Sequence, residues 1–293
     1  MRKSLGEKLN HVVFLGPATL LFSAIVVVPF IISFYYSFTD WNGISKSMNF
    51  IGLHNYFTIF SGDSRFLQSV GFTVSMSFVI VVFVIAVGLA LAALLTNKFA
   101  GRNMFRALFF LPNTMGGVVM GYVWRFIFLL VIQHLGTVLH WAILQLPWLG
   151  TPETAFAALV IVSVWQGAGY VMVIMIAAFA GVPRDLTEAA RIDGASSWKT
   201  FWMVKIPVTM PYLTVCLFWT ISGAFKMFDV NVALTKGGPY GTTTPMALQI
   251  YYDAFNANSY GLANAESIVF FAIVFAVTAA QLFLSRKKEL ALE

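Results

Sequence analysis

Along this chain, long apolar runs almost free of charge alternate with short segments that hold most of the charges. The runs centre on Val12 to Phe38, Val70 to Leu95, Ala107 to Leu129, Thr154 to Ala180, Val204 to Phe225 and Ser267 to Leu284. Crossing ~30 Å of hydrocarbon takes about 20 helical residues, so each run is long enough to span a bilayer. The pattern predicts six membrane-spanning helices. The first run is uncharged from Leu9 to Thr39, too long for the apolar part of a cleaved signal peptide, and reads as an anchoring span. Another uncharged stretch, Phe126 to Thr151, holds Gln133, His134, Gly136, Thr137, His140 and Pro147 and reads as an external connector with amphipathic pieces.

Charge tests that count and orients it. With six spans and a cytoplasmic N-terminus, thirteen basic residues lie inside, grouped at Arg2–Lys8, Lys98–Arg106, Arg184–Lys205 and Arg286–Lys288. Only Lys46, Arg65 and Lys236 lie outside, and Arg125 and Lys226 fall at membrane depth. This is the positive-inside bias, and it would largely vanish if Phe126 to Thr151 were a seventh span. The expected organisation is a cytoplasmic segment over 1–11, a membrane domain over 12–285 and a cytoplasmic tail over 286–293. Within the domain, 184–207 forms an inner loop and 231–266 an outer one. The protein is expected to be a multi-pass membrane protein with both termini cytoplasmic.

Composition agrees: 59% of the residues are hydrophobic, 10% are charged, and the mean hydropathy is +0.81. A net charge of +6 spread thinly between apolar runs suits lipid headgroups and a protein partner rather than nucleic acid. Cys216 is the only cysteine, so neither an internal disulfide nor a thiolate metal cluster can form. The segment "GVVMG", Gly117 to Gly121, offers a small-xxx-small face for close helix packing.

The charged segment between the fourth and fifth runs, "EAARIDGASSWKTFW", has its own local grammar. Asp185 followed by Glu188 has capping-box spacing, so a short helix is expected through Ala189, Ala190 and Ile192. Gly194 closes it, since glycine readily takes the left-handed conformation. Ser196 then caps a second helix carrying Trp198, Phe201 and Trp202, which merges into the next span before Pro207. On these residues alone, an interfacial amphipathic helix would serve as well.

The longer stretch "EAARIDGASSWKTFWMVKIP" resembles the EAA signature of permease subunits of bacterial ATP-binding-cassette importers. Glu188, Ala189, Ala190, Gly194, Ile206 and Pro207 match that pattern, and "IDGA" is the form typical of the carbohydrate branch. A second match, "FKMFDVNVALTKGGPYGTTT" from Phe225 to Thr244, resembles the F-x-x-F-D…T-x-GGP…T pattern of the first permease in maltose and glycerol-phosphate type pairs. "FIGLHNY" and "YGLANA" are similar to the same subfamily. The chain is identified on these motifs as a maltose-permease F-like subunit, shorter than that subunit by extra spans and a periplasmic insertion.

The resemblance implies an all-α membrane protein of the type I importer kind, with six spans and a cytoplasmic coupling helix. It implies a second permease as heterodimeric partner, two ATP-binding subunits, and an external or periplasmic sugar-binding protein. The cargo it implies is a carbohydrate, with glycerol-phosphate or another small polar solute as the alternative. Glu188, Ala189, Ala190, Asp193, Gly194, Ile206 and Pro207 would couple to the ATPase, with Glu188 and Asp193 facing basic groups on it.

No cofactor is expected on this chain itself. The segment nearest a Walker A loop, Gly194 to Thr200, places Trp198 where the second glycine must sit, so ATP and magnesium would be held by the partner subunit. His134 and His140 lie six apart in a connector without companion carboxylates or thiols, which argues against an intramembrane enzyme. A secondary carrier would need titratable groups at the bilayer midplane, and that level carries almost none.

Polar residues inside a span usually face a bundle interior or a water-filled path. Ser163, Gln166, Gly167 and Tyr170 have i, i+3, i+4, i+7 spacing and share one helical face, and so do Ser222, Phe225, Lys226 and Asp229 in the fifth run. These two stripes are the candidate substrate pathway: a sugar asks for hydrogen-bond partners and an aromatic face. Lys226 and Asp229 read equally as an ion pair at the membrane edge, Tyr170 as core packing. Trp124 and Arg125 are expected to snorkel to the interface.

Overall fold

The structure, a computed structural model, describes residues 5–62 and 64–290, and side chains over 13–62 and 64–285. Of the terminal segments expected over 1–11 and 286–293, residues 1–4 and 291–293 lie outside the described residues, and over 5–11 and 286–290 the description covers backbone only. The described residues are mainly helical, and their extended pairing is limited to an isolated bridge between Thr39 and Phe50. Five helices are long and apolar enough to cross a membrane, Val13–Tyr36, Arg65–Thr96, Gly117–Leu139, Pro152–Ala180 and Tyr260–Ser285, and a bent pair supplies a sixth.

The chain divides into two compact units, Met1–Leu67 with Ile250–Phe271, and Gln68–Gln249 with Ala272–Glu293. In the first, α1 (Leu5–Phe22) passes through a π turn into α2 (Val28–Tyr36). Ser33 Oγ donates to Asn264 Oδ1 at 2.6 Å and Phe30 packs on Phe271, tying α2 to the start of α15 (Tyr260–Leu290). Between α2 and α3 (His54–Ile59) runs a loop fixed by buried Asn55, whose amide donates to the carbonyls of Ser37 and Thr39, both at 2.9 Å. Asp40 accepts from the Asn49 backbone N–H at 2.7 Å and from its side chain at 2.9 Å, which holds the Asp40 carboxyl below its ordinary value of 3.8. Burial pushes the Tyr252 phenol up, with a smaller contribution from Tyr251.

The second unit contains the main apolar core. Met76, Ile80 and Val84 of α4 (Arg65–Thr96) are buried, as are Leu159, Val162, Val171, Met172 and Met175 of α8 (Pro152–Ala180). Because lipid tails are as apolar as these side chains, close packing rather than removal from water holds the two helices together. Thr151 caps α8, its hydroxyl accepting from the Thr154 N–H with Pro152 at the first helical position. At the far end of α4 the Arg106 guanidinium donates to the Leu95 carbonyl at 2.6 Å, satisfying one of the orphan acceptors of the last turn.

Two spans differ from the sequence expectation. The third was expected over Ala107 to Leu129, but the chain forms α5 (Arg102–Phe110), a 3-10 turn at Leu111–Thr114 and then α6 (Gly117–Phe126). Met115 and Gly116 are extended, with ψ of 138° and 139°. Pro112 and the Gly116–Gly117 pair account for the break. A π turn then carries α6 into α7 (Ile132–Leu139), so half of the expected connector is helix.

The fifth span, expected over Val204 to Phe225, is bent by 76° between Ser197–Val208 and Met210–Phe225. Prolines at 207 and 211 flank the bend, and each lacks the N–H that a continuous helix would use. Buried Thr209 sits at the corner, its hydroxyl bonded to the Lys205 carbonyl at 2.7 Å.

Candidate functional site

A cavity of about 410 Å³ opens in the second unit among α4, α8, α12 (Met210–Phe225) and α13 (Asp229–Leu234). Its polar lining is Asn113, Ser163, Gln166, Thr220, Lys226, Asp229 and Asn231, with Trp219 as its aromatic wall. Two interruptions of helix meet there. One is the break between Leu111 and Gly116; the other is Lys226–Phe228, between the end of α12 and the start of α13.

Gln166 is the middle residue of α8, and its amide donates to the Met115 carbonyl at 3.1 Å. That carbonyl is freed by the break, so the contact satisfies an acceptor that helix geometry leaves open. From the other side, Asn113 Nδ2 donates to the Gln166 backbone carbonyl at 3.4 Å. Gly169, one turn on, lies so close to the Phe109 carbonyl that no side chain fits between α8 and α5.

The other interruption is positioned by small residues. A Cβ at Gly117 would lie 2.7 Å from Asp229 Cβ, and one at Gly121 would lie 2.5 Å from Ala233 Cβ. The small-xxx-small face of "GVVMG" is thus where α13 packs on α6. Asn231 anchors α13 further by donating to the Thr243 carbonyl at 3.1 Å.

The two expected stripes are brought together only in part. Ser163, Gln166 and Gly167 line the cavity, and so do Lys226 and Asp229. Tyr170 does not; it stacks on Trp219, ring centroids 4.1 Å apart and planes within 24°, and so backs the aromatic wall. Ser222 is not part of the lining and Phe225 is buried. Their stripe fails because α12 ends at Phe225, which places Asp229 on a separate helix. No ion pair joins Lys226 to Asp229 among the described residues, and both side chains are exposed toward the cavity. Sequence reasoning missed Asn113, in the break before α6, Asn231, in the first turn of α13, and Trp219, within α12.

Trp124 and Arg125 correct another expectation. Trp124 packs on Phe128 and Trp165, at 5.3 and 5.4 Å, rather than at an interface. The Arg125 guanidinium reaches the Leu234 carbonyl at 3.4 Å, beside a smaller cavity of about 240 Å³ shared with Gln133 and Thr235.

The second candidate site is the bent pair of short helices after α8. α9 (Arg184–Ile192) begins at Pro183, and the Asp185–Glu188 capping box does not form because Asp185 already lies inside the first turn. There it meets the positive end of the helix as a charge instead. Gly194, at φ +77°, closes α9 in a Schellman motif: the Ala195 N–H donates to the Ala190 carbonyl at 2.9 Å, and the Gly194 N–H to Arg191 at 3.0 Å. Ser196 caps α10 (Ser197–Thr200), accepting from the Lys199 N–H at 3.3 Å.

Glu188, Ala189, Asp193 and Gly194 are exposed on this element, Ala190 is half-buried, and Ile192 is 86% exposed. Its base is fixed. Ile206 is buried, Pro207 half-buried, and Phe201 packs edge-on against Phe179 of α8 at 5.5 Å. The base is seated in the core while the tip presents an uncovered surface of apolar side chains and mixed charges.

Residues 84–289 match the family described as binding-protein-dependent transport system inner membrane component. The chain is 44% identical over 276 residues to a probable starch degradation products transport system permease, AmyD, of Thermoanaerobacterium thermosulfurigenes, covering 94% of each chain. It is 34% identical to the multiple sugar-binding transport system permease MsmF of Streptococcus mutans, covering 87% of this chain and 88% of that one. To the trehalose/maltose transport system permease MalF of Thermococcus litoralis it is 31% identical, with 95% and 94% covered. Among solved structures, a chain of a bacterial ABC transporter that imports the acidic polysaccharide alginate superposes with a TM-score of 0.83 at 18% identity, over 97% of this chain and 99% of that one. That likeness establishes the type I importer permease fold.

Proposed function

This chain belongs to the family of binding-protein-dependent transport system inner membrane components, a multi-pass membrane protein, and on that premise we propose that it forms half of a sugar-conducting pore in an ATP-driven importer. The observation that carries the reading is the cavity between the two helix interruptions. Amides of Asn113, Gln166 and Asn231, hydroxyls of Ser163 and Thr220, and the charges of Lys226 and Asp229 offer donors and acceptors to sugar hydroxyls. The Trp219 ring, held flat by Tyr170, offers the apolar face against which a pyranose stacks. Discontinuous helices near the middle of a transporter build such sites because they free backbone groups where they line a cavity. The sugar-transport names of the relatives support the same cargo class.

The remaining parts follow from this reading. A second permease completes the pore, an external binding protein delivers the sugar, and two copies of a cytoplasmic ATPase hold ATP and magnesium. Both termini are cytoplasmic, so α9 and α10 lie on the cytoplasmic side. Glu188, Ala189, Ala190, Asp193 and Gly194 present the tip to the ATPase, while Ile206 and Pro207 join it to the bundle. ATPase closure displaces this rigid element, and the Phe201–Phe179 contact passes the displacement to α8, whose midpoint lines the cavity.

The test is uptake of a radiolabelled sugar panel by vesicles holding both permeases and the ATPase, with the binding protein added outside. Expected is ATP-dependent accumulation of at least one oligo- or monosaccharide, lost in the Trp219→Ala variant. Accumulation of no sugar, or accumulation independent of Trp219, would overturn the assignment of this cavity.

A further inference from the structure

We propose that Tyr240 is the anchor by which the external binding protein seats on this chain, an inference that rests on the importer reading above. Among the described residues, Tyr240 is the most exposed large apolar side chain, at 96%. It stands on a loop built to stay fixed. The Thr243 hydroxyl bonds to the Gly238 carbonyl at 2.6 Å and to the Thr235 hydroxyl at 2.9 Å, and the Thr243 N–H donates to the Gly237 carbonyl at 3.1 Å. Thr243 and Thr244 are buried beneath the tip, and the Asn231 amide ties the Thr243 carbonyl to α13.

The backbone at the tip is held in an unfavourable state. Tyr240 has φ +54°, a left-handed conformation that costs a non-glycine residue about 1 kcal/mol, although glycines lie on both sides at 238 and 241. A lipid-facing role fits poorly. The exposed neighbours are Gly241 and Thr242, not an apolar band, and the charge pattern puts the loop outside the membrane. An aromatic on a fixed loop among small polar residues is the kind of side chain that dominates protein interfaces, since the backbone that carries it loses little entropy on docking. Through Asn231 the same loop connects to α13, which carries Asp229 and Asn231 into the cavity. The partner that must sit over that cavity at delivery is the binding protein.

The test uses the complete importer in nanodiscs with its binding protein. Tyr240→Ala should leave assembly and unstimulated ATPase unchanged and raise the binding-protein concentration for half-maximal ATPase stimulation about tenfold. Tyr240→Phe should restore most of it. A photo-crosslinking amino acid at 240 should form its adduct with the binding protein. An unchanged half-maximal concentration in Tyr240→Ala, or adducts only with the second permease or lipid, would overturn the anchor and leave the importer reading standing. If the wild-type complex is not stimulated by its binding protein at all, both fall.

Discussion

The side-chain amide of Gln166, at the midpoint of α8, bonds to the carbonyl of Met115, where the polypeptide between α5 and α6 is extended. A residue that the sequence marks as a substrate contact thus also secures an interrupted helix. Gln166→Leu leaves the Met115 acceptor open at a cost of about 1–3 kcal/mol, so a lower yield of assembled complex and loss of uptake are expected together. Gln166→Glu, acceptor-only as a carboxylate, sets one acceptor against another at Met115 and should lose yield and uptake at least as severely. Quantitative immunoblotting alongside uptake separates the two effects.

Tyr170 touches Trp219, and Trp219 lines the cavity. An offset aromatic pair contributes about 0.5–1.5 kcal/mol beyond its buried area, so Tyr170→Ala should raise the apparent KM for sugar several-fold with a smaller effect on maximal rate. Tyr170→Phe should behave like the wild type. A fall in maximal rate at unchanged KM would argue against a backing role for this ring.

Gly121 has no room for a side chain beside Ala233, whereas a Cβ at Gly116 would meet nothing within 4 Å. Gly121→Val should therefore push α13 away and cost about 1–3 kcal/mol, with uptake lost. Gly116→Ala is the matched control and should be tolerated. Thermal unfolding of the detergent-solubilised complex, read beside uptake, gives the comparison.

At Gly194 the obstacle is conformation, since the surrounding space is open and φ is +77°. Gly194→Asp strains the closure of α9 by about 1–2 kcal/mol without disturbing the bundle. Expected is a transporter that assembles but no longer couples ATP hydrolysis to uptake, with the same phenotype for Glu188→Lys at the exposed tip. Normal coupling in both variants would remove this element from the drive train.

Asp40 is held below 3.8 by the Asn49 backbone N–H and then by its side chain. The sign is that of a depressed carboxylate: its contribution to the loop is complete above the unfolded value, about 3.9, and fades as pH falls through the lower folded value. Neutral to mildly acidic medium should leave the Asp40–Asn49 contact untouched. An NMR titration of the labelled Asp40 carboxyl should show a midpoint under 3.8, and a midpoint above it would contradict the geometry.

The apolar runs and the Gly194 joint were plain in the sequence because each rests on a local rule: length against bilayer thickness, and a left-handed closing glycine. The register of the third span was less visible. Pro112 and the paired Gly116 and Gly117 signal a break, but continuous hydrophobicity from Ala107 to Leu129 conceals it. Asp229 misled for a related reason, since i, i+3 spacing from Lys226 presupposes that one helix holds both. Asn113, Trp219 and Asn231 could not be picked out, because their approach depends on how separate segments pack. The small residues at 117 and 121 were the one advance sign of that packing.

The absence of any gap between Gly169 and the Phe109 carbonyl welds α5 to α8, leaving nothing at that seam to slide or tilt. Whatever shape change carries cargo across the bilayer must be taken up elsewhere. The corner at Thr209 between two imino acids and the Lys226–Phe228 stretch, where α12 gives way to α13, are the interruptions left to take it up. The molecule is thereby sorted into stiff blocks and soft joints, and rigidifying either joint would arrest the cycle without emptying the binding chamber.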